Sequence, residues 1–144
     1  MHINDVGNST WEEINLGARG ANFGWPGSEG PDNLGPGITA PLFTYNHQAT
    51  TPPGIGPGGF FSSVCVIGGD FYPTTGPFPA PWRGGYFFTD FEGGFIGFID
   101  VQNDNAAYMF ANMTPRRPVG LMVARDGSLL LMSQTTIDRI VVNP

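Results

Sequence analysis

The chain predicts an all-β domain, and three features carry that prediction. No stretch sustains the three-to-four-residue apolar period of a long amphipathic helix. Hydrophobic residues (40%) and aromatics (13%) fall instead in short runs between turns, as strands require. The turns are rich in breakers: 22 glycines and 14 prolines, a quarter of the 144 residues. That share borders on the composition of disordered chains, but the aromatic content argues for a packed core.

The strands are expected in the following order. Trp11 to Leu16 comes first, closed by the turn Gly17-Ala18-Arg19-Gly20. Ala21 to Pro26 follows, then a Gly- and Pro-rich loop from Gly27 to Pro41. Leu42 to Asn46 reads as a strand, and His47 to Gly59 as a second loop centred on Thr50-Thr51-Pro52-Pro53-Gly54. Ser62 to Tyr72 reads as a strand with a bulge or close backbone approach at Gly68-Gly69. Gly85 to Asp90 and Phe95 to Val101, joined by Phe91-Glu92-Gly93-Gly94, form a hairpin. Tyr108 to Ala111 is an outer strand. Val119 to Ala124 and Ser128 to Met132 form a second hairpin across Asp126-Gly127, and Ile137 to Val142 can pair as a third strand.

The two hairpins share one plan. Each follows a Pro-rich approach, Phe78-Pro79-Ala80-Pro81-Trp82 before one and Thr114-Pro115-Arg116-Arg117-Pro118 before the other. Repetition at roughly 35–45 residues is the footprint of propeller blades. Spacing alone leaves a β-sandwich as an alternative.

Charge and length exclude several functions. The net charge of −6, with all six cations arginine and none clustered beyond a pair, disfavours nucleic acid, which needs grouped basic side chains. It suits hard cations such as Ca²⁺, which take carboxylate and carbonyl oxygens. No apolar run approaches the roughly 20 residues of a membrane span. The opening Met1-His2-Ile3-Asn4-Asp5 has neither part of a signal peptide. Cys65 is the single cysteine, so no intrachain disulfide forms.

Specific residues go further. Gly7 through Leu16 (Gly-Asn-Ser-Thr-Trp-Glu-Glu-Ile-Asn-Leu), followed by Gly20-Ala21-Asn22-Phe23-Gly24-Trp25-Pro26, resembles a signature of the soluble quinoprotein glucose/sorbosone dehydrogenases. Ile67-Gly68-Gly69-Asp70-Phe71-Tyr72 and Tyr86-Phe87-Phe88-Thr89-Asp90-Phe91 resemble the blade that follows. Arg117-Pro118-Val119 through Asp126-Gly127-Ser128-Leu129 resembles the last one. The resemblance implies part of a six-bladed β-propeller: about two to two and a half four-stranded antiparallel blades, from the C-terminal part of such a protein. Residues 1–46 would end one blade, 60–113 form the second and 114–144 the last. Completion would come from a missing N-terminal half or from oligomerisation.

The family oxidises an aldose C1 hydroxyl to a lactone, passing a hydride to pyrroloquinoline quinone (PQQ) beside Ca²⁺, with a general-base His from early in the chain. The resemblance therefore implies a fragment inactive alone. It places the main-chain carbonyls of Gly7 and Asn8 at the catalytic Ca²⁺, and Glu13 with the Phe23 carbonyl at a second calcium site. It sets Arg117 or Arg116 against the carboxylates of PQQ. Glu92 falls where one branch uses a lysine, and an acid there opposes that branch's binding mode. Family members act in the periplasm or are secreted.

The other side chains read plainly. His47 is expected as an exposed loop residue, His2 as part of a frayed terminus, and Asp70 and Asp90 as turn caps. Trp25, Trp82 and the Phe cluster are expected between blades. The partners implied are an aldose or saccharide and a second copy or the missing half, without nucleic acid or membrane. The alternative function is a non-catalytic, self-associating module that binds calcium or a saccharide.

Overall fold

The computed structural model describes residues 1–48 and 61–142. The expected loop from His47 to Gly59 and the start of the second blade at Phe60 thus lie almost wholly outside the described residues. Ten described strands make three antiparallel sheets, each in chain order. The first sheet holds β1 (His2–Asp5), β2 (Trp11–Leu16) and β3 (Phe43–Asn46). The second holds β4 (Val66–Phe71), β5 (Tyr86–Asp90), β6 (Phe95–Asp100) and β7 (Ala106–Asn112). The third holds β8 (Pro118–Val123), β9 (Leu129–Ser133) and β10 (Ile137–Ile140). The first strands meet across the boundaries, β1 against β4 and β4 against β8. Three meanders whose first strands stand side by side are successive blades, so the chain is a partial β-propeller, and its described residues close no barrel.

The core lies in the two seams. Tyr86, Phe88, Phe95 and Ile99 of the second sheet face Ile14, Phe43 and Tyr45 of the first. Phe87, Ile96 and Phe98 face Leu121, Leu129 and Leu131 of the third. Alternate side chains of β5 and β6 therefore enter opposite seams. Covered on both faces, these strands are apolar on successive residues over Tyr86 to Phe88 and Phe95 to Ile99. The third sheet is covered on one face only, and its strands alternate: Leu129 and Leu131 are buried while Met122, Met132 and Ile137 are exposed.

Polar groups tie the seams. Asp90 is fully buried and accepts bonds from the Tyr45 hydroxyl (2.6 Å), the Ser63 hydroxyl (2.7 Å) and the Cys65 amide (3.1 Å). It also caps its turn through the Gly93 amide (2.7 Å). It is a turn cap, as expected, and also the anchor of the first seam. Burial, then the Asp90 charge, pushes the Tyr45 hydroxyl well above its ordinary value. In the second seam Asp70 accepts the Val123 amide (2.9 Å), and the Tyr72 hydroxyl donates to the Gly127 carbonyl (2.8 Å). Gly127 has φ +81°, the conformation the Asp-Gly turn demands. At Gly69 the strand register shifts, and a Cβ there would overlap the Phe87 carbonyl.

Two expectations fail here. β1 pairs with β2 where a frayed end was expected, because His2 stacks on Tyr86 (ring centroids 4.6 Å) and edges Phe71 (4.7 Å). Asn4 adds to this by donating to the Ile67 carbonyl and accepting from the Tyr86 hydroxyl. Trp25 is not core among the described residues: it is 63% exposed, on a turn of the long loop between β2 and β3. Trp82 does pack against the second seam, on Phe98 and Phe110.

Candidate functional site

The connection between β1 and β2 is five residues, Val6 to Thr10, and carboxylates hold it from two sides. Glu12, fully buried on β2, accepts the Gly7 amide (3.1 Å), the Val66 amide of the second sheet (2.6 Å) and a contact from His47 Nε2 (2.8 Å). Glu29, from the long loop after β2, accepts the amides of Asn8 (2.9 Å), Ser9 (2.9 Å), Thr10 (2.8 Å) and Trp11 (3.1 Å) on one oxygen. Its other oxygen takes the Ser9 hydroxyl (3.1 Å).

The two acids differ electrostatically. Burial raises the pKa of Glu12 against the opposing pull of the Val66 amide, His47 and the Gly7 amide. For Glu29 burial also acts upward, but the amides of Ser9, Thr10 and Trp11 with the Ser9 hydroxyl outweigh it and hold the carboxyl down at about 2. His47 is not the exposed loop residue expected: its side chain is only 11% exposed, against Glu12. The fully buried carboxylate draws it inward.

A cavity of about 320 Å³ opens beside this turn, lined among others by Asp5, Gly7, Asn8, Glu13, Phe23 and Glu29, with Trp25 at its margin. All four residues expected at calcium sites, Gly7, Asn8, Glu13 and Phe23, thus border one space. Glu13 is buried, its carboxylate accepting the Gly30 amide (2.5 Å) and the Asn15 side-chain amide (3.0 Å). The Asn15 Oδ1 is buried with no partner among the described residues. No three His, Cys, Asp or Glu side chains among the described residues form a metal cage. A cation here would have to take backbone oxygens together with one or two carboxylates. Hard oxygen donors and an excess of negative charge around the cavity fit Ca²⁺.

Arg117 and Arg116 are not brought to this cavity. Both precede β8. Arg117 pairs with Glu92 (3.1 Å) and lies over the Phe91 ring (5.4 Å), while Arg116 pairs with Asp138 (2.9 Å). Both guanidiniums are about half exposed, and such surface pairs hold only about 0–1 kcal/mol, so a ligand carboxylate could exchange with either partner. They fit PQQ in kind, though these residues build no enclosed seat for it. Glu29 and Asp5 were missed by the sequence reading. Glu29 left one trace, as one of two acids in a loop otherwise made of small, apolar and Gly/Pro residues.

Known proteins bear on this geometry. No family model matches the chain. A curated relative, the HIPL1 protein of Arabidopsis thaliana, is 35% identical over 81 residues, which is 47% of this chain and 11% of that protein. Among solved structures, a crystal structure of glucose dehydrogenase superposes with TM-score 0.72 at 19% identity, covering 97% of this chain and 40% of that one. The soluble aldose sugar dehydrogenase of Escherichia coli in its apo-form matches with TM-score 0.66 at 18% identity, over 96% of this chain and 39% of that one. The PQQ-bound aldose sugar dehydrogenase of Streptomyces coelicolor gives TM-score 0.62 at 20% identity, over 94% and 34%. The chain therefore has the fold of a part of these sugar dehydrogenases, spanning well under half their length. The partial propeller implied by the sequence resemblance is the fold observed.

Proposed function

We propose that this chain is part of a calcium- and PQQ-dependent sugar dehydrogenase that oxidises an aldose C1 hydroxyl to a lactone. The observation that carries this reading is the gathering of Gly7, Asn8, Glu13 and Phe23 around one acid-lined cavity in a fold shared with sugar dehydrogenases. The carbonyls of Gly7 and Asn8 would hold the catalytic Ca²⁺, and Glu13 with the Phe23 carbonyl a second one. When bound, PQQ would supply the hydride acceptor. Arg117 or Arg116 would orient it by exchanging a surface partner for one of its carboxylates. The general base is a histidine outside these residues, so activity requires the rest of the propeller, in a protein working in the periplasm or outside the cell.

Calcium calorimetry, followed by dye reduction with an aldose in the presence of PQQ, tests this. Uptake of Ca²⁺ by the chain, and turnover once the remaining blades are supplied, are expected. Absence of both would overturn the reading.

A second reading has its own observation. The open face of the third sheet shows Met122 (53% exposed), Met132 and Ile137 (69%), apolar area that blades ordinarily bury against a neighbour. The chain would then be a self-associating module that binds calcium or a saccharide without catalysis. Light scattering separates the two. A defined homo-oligomer that takes Ca²⁺ but never turns over favours the module, and a monomer opposes it.

A further inference from the structure

Four successive backbone amides, those of Asn8, Ser9, Thr10 and Trp11, converge on a single carboxylate oxygen of Glu29 at 2.8–3.1 Å. Consecutive amides turned to one point form an anion-binding concavity. Here the anion is a side chain from a loop some 20 residues further along. A peptide unit is planar and trans, so each carbonyl points opposite to the amide that follows it. The carbonyls of Gly7, Asn8 and Ser9 are thereby turned away from Glu29. Among the described residues no hydrogen bond ends on the Gly7 or Asn8 carbonyl, whereas the Thr10 carbonyl accepts the His47 amide. Two adjacent backbone oxygens are left free beside an acid-lined cavity.

We propose that Glu29 is a positioning residue: its carboxylate fills the amide concavity of the 8–11 turn and so holds the Gly7 and Asn8 carbonyls free and outward for a hard cation. The inference rests on the calcium reading above. It assigns a task to an acid that the sequence reading passed over. Glu29 touches no cation itself in this scheme. It acts through the backbone, as outer-shell groups do when they orient the ligands of a metal. Glu12 holds the same turn from the other side through the Gly7 amide, which fixes the peptide unit of the Val6 carbonyl.

The test uses the whole protein with Glu29→Ala and Glu29→Gln, and Tb³⁺ luminescence with Ca²⁺ competition as the affinity readout. Loss of an outer-shell support is expected to weaken Ca²⁺ about 10–100-fold in Glu29→Ala, with Glu29→Gln between it and wild type. Formate, added as the missing carboxylate, should restore affinity in Glu29→Ala and change nothing in wild type. A simple structural role would not produce that rescue. The amide proton shifts of Asn8, Ser9, Thr10 and Trp11, read by NMR, should move in Glu29→Ala and return with formate. A folded Glu29→Ala that binds Ca²⁺ like wild type overturns the proposal. So does weakened binding that formate leaves unchanged in both variants. If the wild type takes up no Ca²⁺, the calcium reading falls and the positioning role falls with it, while the amide shifts still report whether Glu29 occupies the concavity.

Discussion

Glu12→Gln is the sharpest test of how the first seam and the candidate site are joined. The change keeps the volume of the side chain and removes one acceptor oxygen and the charge. In the native protein one oxygen serves the Val66 amide and the other serves the Gly7 amide and His47. A glutamine has one acceptor oxygen. If it turns that oxygen to Val66, its NH₂ faces the Gly7 amide, donor against donor. If it turns the other way, the Val66 amide loses its partner. Either orientation strands one backbone amide, the buried one of Val66 or the part-buried one of Gly7, at about 1–3 kcal/mol, and converts charge-assisted bonds into neutral ones. Relief of the buried charge offsets part of this, since burial is the largest influence on Glu12.

The net expectation is a loss of about 1–3 kcal/mol. Urea denaturation reads it. With a slope of about 2 kcal/mol/M, the midpoint should fall by roughly 0.5–1.5 M with the slope unchanged. The pH dependence gives a second readout. A carboxyl whose folded pKa is raised contributes stability that is full below its ordinary value of 4.5 and is lost as pH rises through the raised value. Glutamine has no such loss, so the gap between wild type and variant should narrow as pH rises above 4.5. A midpoint that stays put or rises, in a folded variant, would refute the reasoning.

Other outcomes follow from the same contacts. Tyr45→Phe removes a 2.6 Å bond to the buried Asp90 carboxylate and should cost about 1.5–3 kcal/mol in the same denaturation assay. Tyr72→Phe deletes the 2.8 Å bond to the Gly127 carbonyl across the second seam, a neutral pair, and should cost less, about 0.5–1.5 kcal/mol. Glu29 is depressed to about 2, so its contribution is present above 4.5 and lost as pH falls from there toward 2. Thermal melts across that window should show a limb that Glu29→Gln flattens. Trp25→Ala, at a residue 63% exposed, should leave the melting curve within about 0.5 kcal/mol of wild type. A large loss there would mean that Trp25 is covered in solution.

Much of the fold was legible because the middle sheet is buried on both faces. Tyr86 to Phe88 and Phe95 to Ile99 are apolar on successive residues, and the turn between the strands carries Gly94 at the positive φ it requires. The Gly68-Gly69 bulge was legible for the same reason, since a glycine pair inside a strand has few other uses. β1 was not legible. His2–Asp5 has weak local preference for a strand, and its order comes from rings and a carbonyl more than sixty residues away. Trp25 was misread because an indole usually enters a core, and this one lies 63% exposed on a loop.

At the candidate site, Gly7, Asn8, Glu13 and Phe23 were singled out by resemblance, and the structure places them around one cavity. Glu29 left only the trace of an acid in a Gly- and Pro-rich loop, and the Glu12–His47 contact left none. Their partners are 18–21 and 35 residues distant, so sequence spacing carries no trace of them. By itself the sequence determined what local rules govern: the strands other than β1, their hairpins, the acidic balance and the positions of the turns. Only the tertiary structure decided which carboxylates the turns receive. Hydrogen-bond partners are chosen by proximity in the folded chain, and that proximity exists only after the sheets have packed.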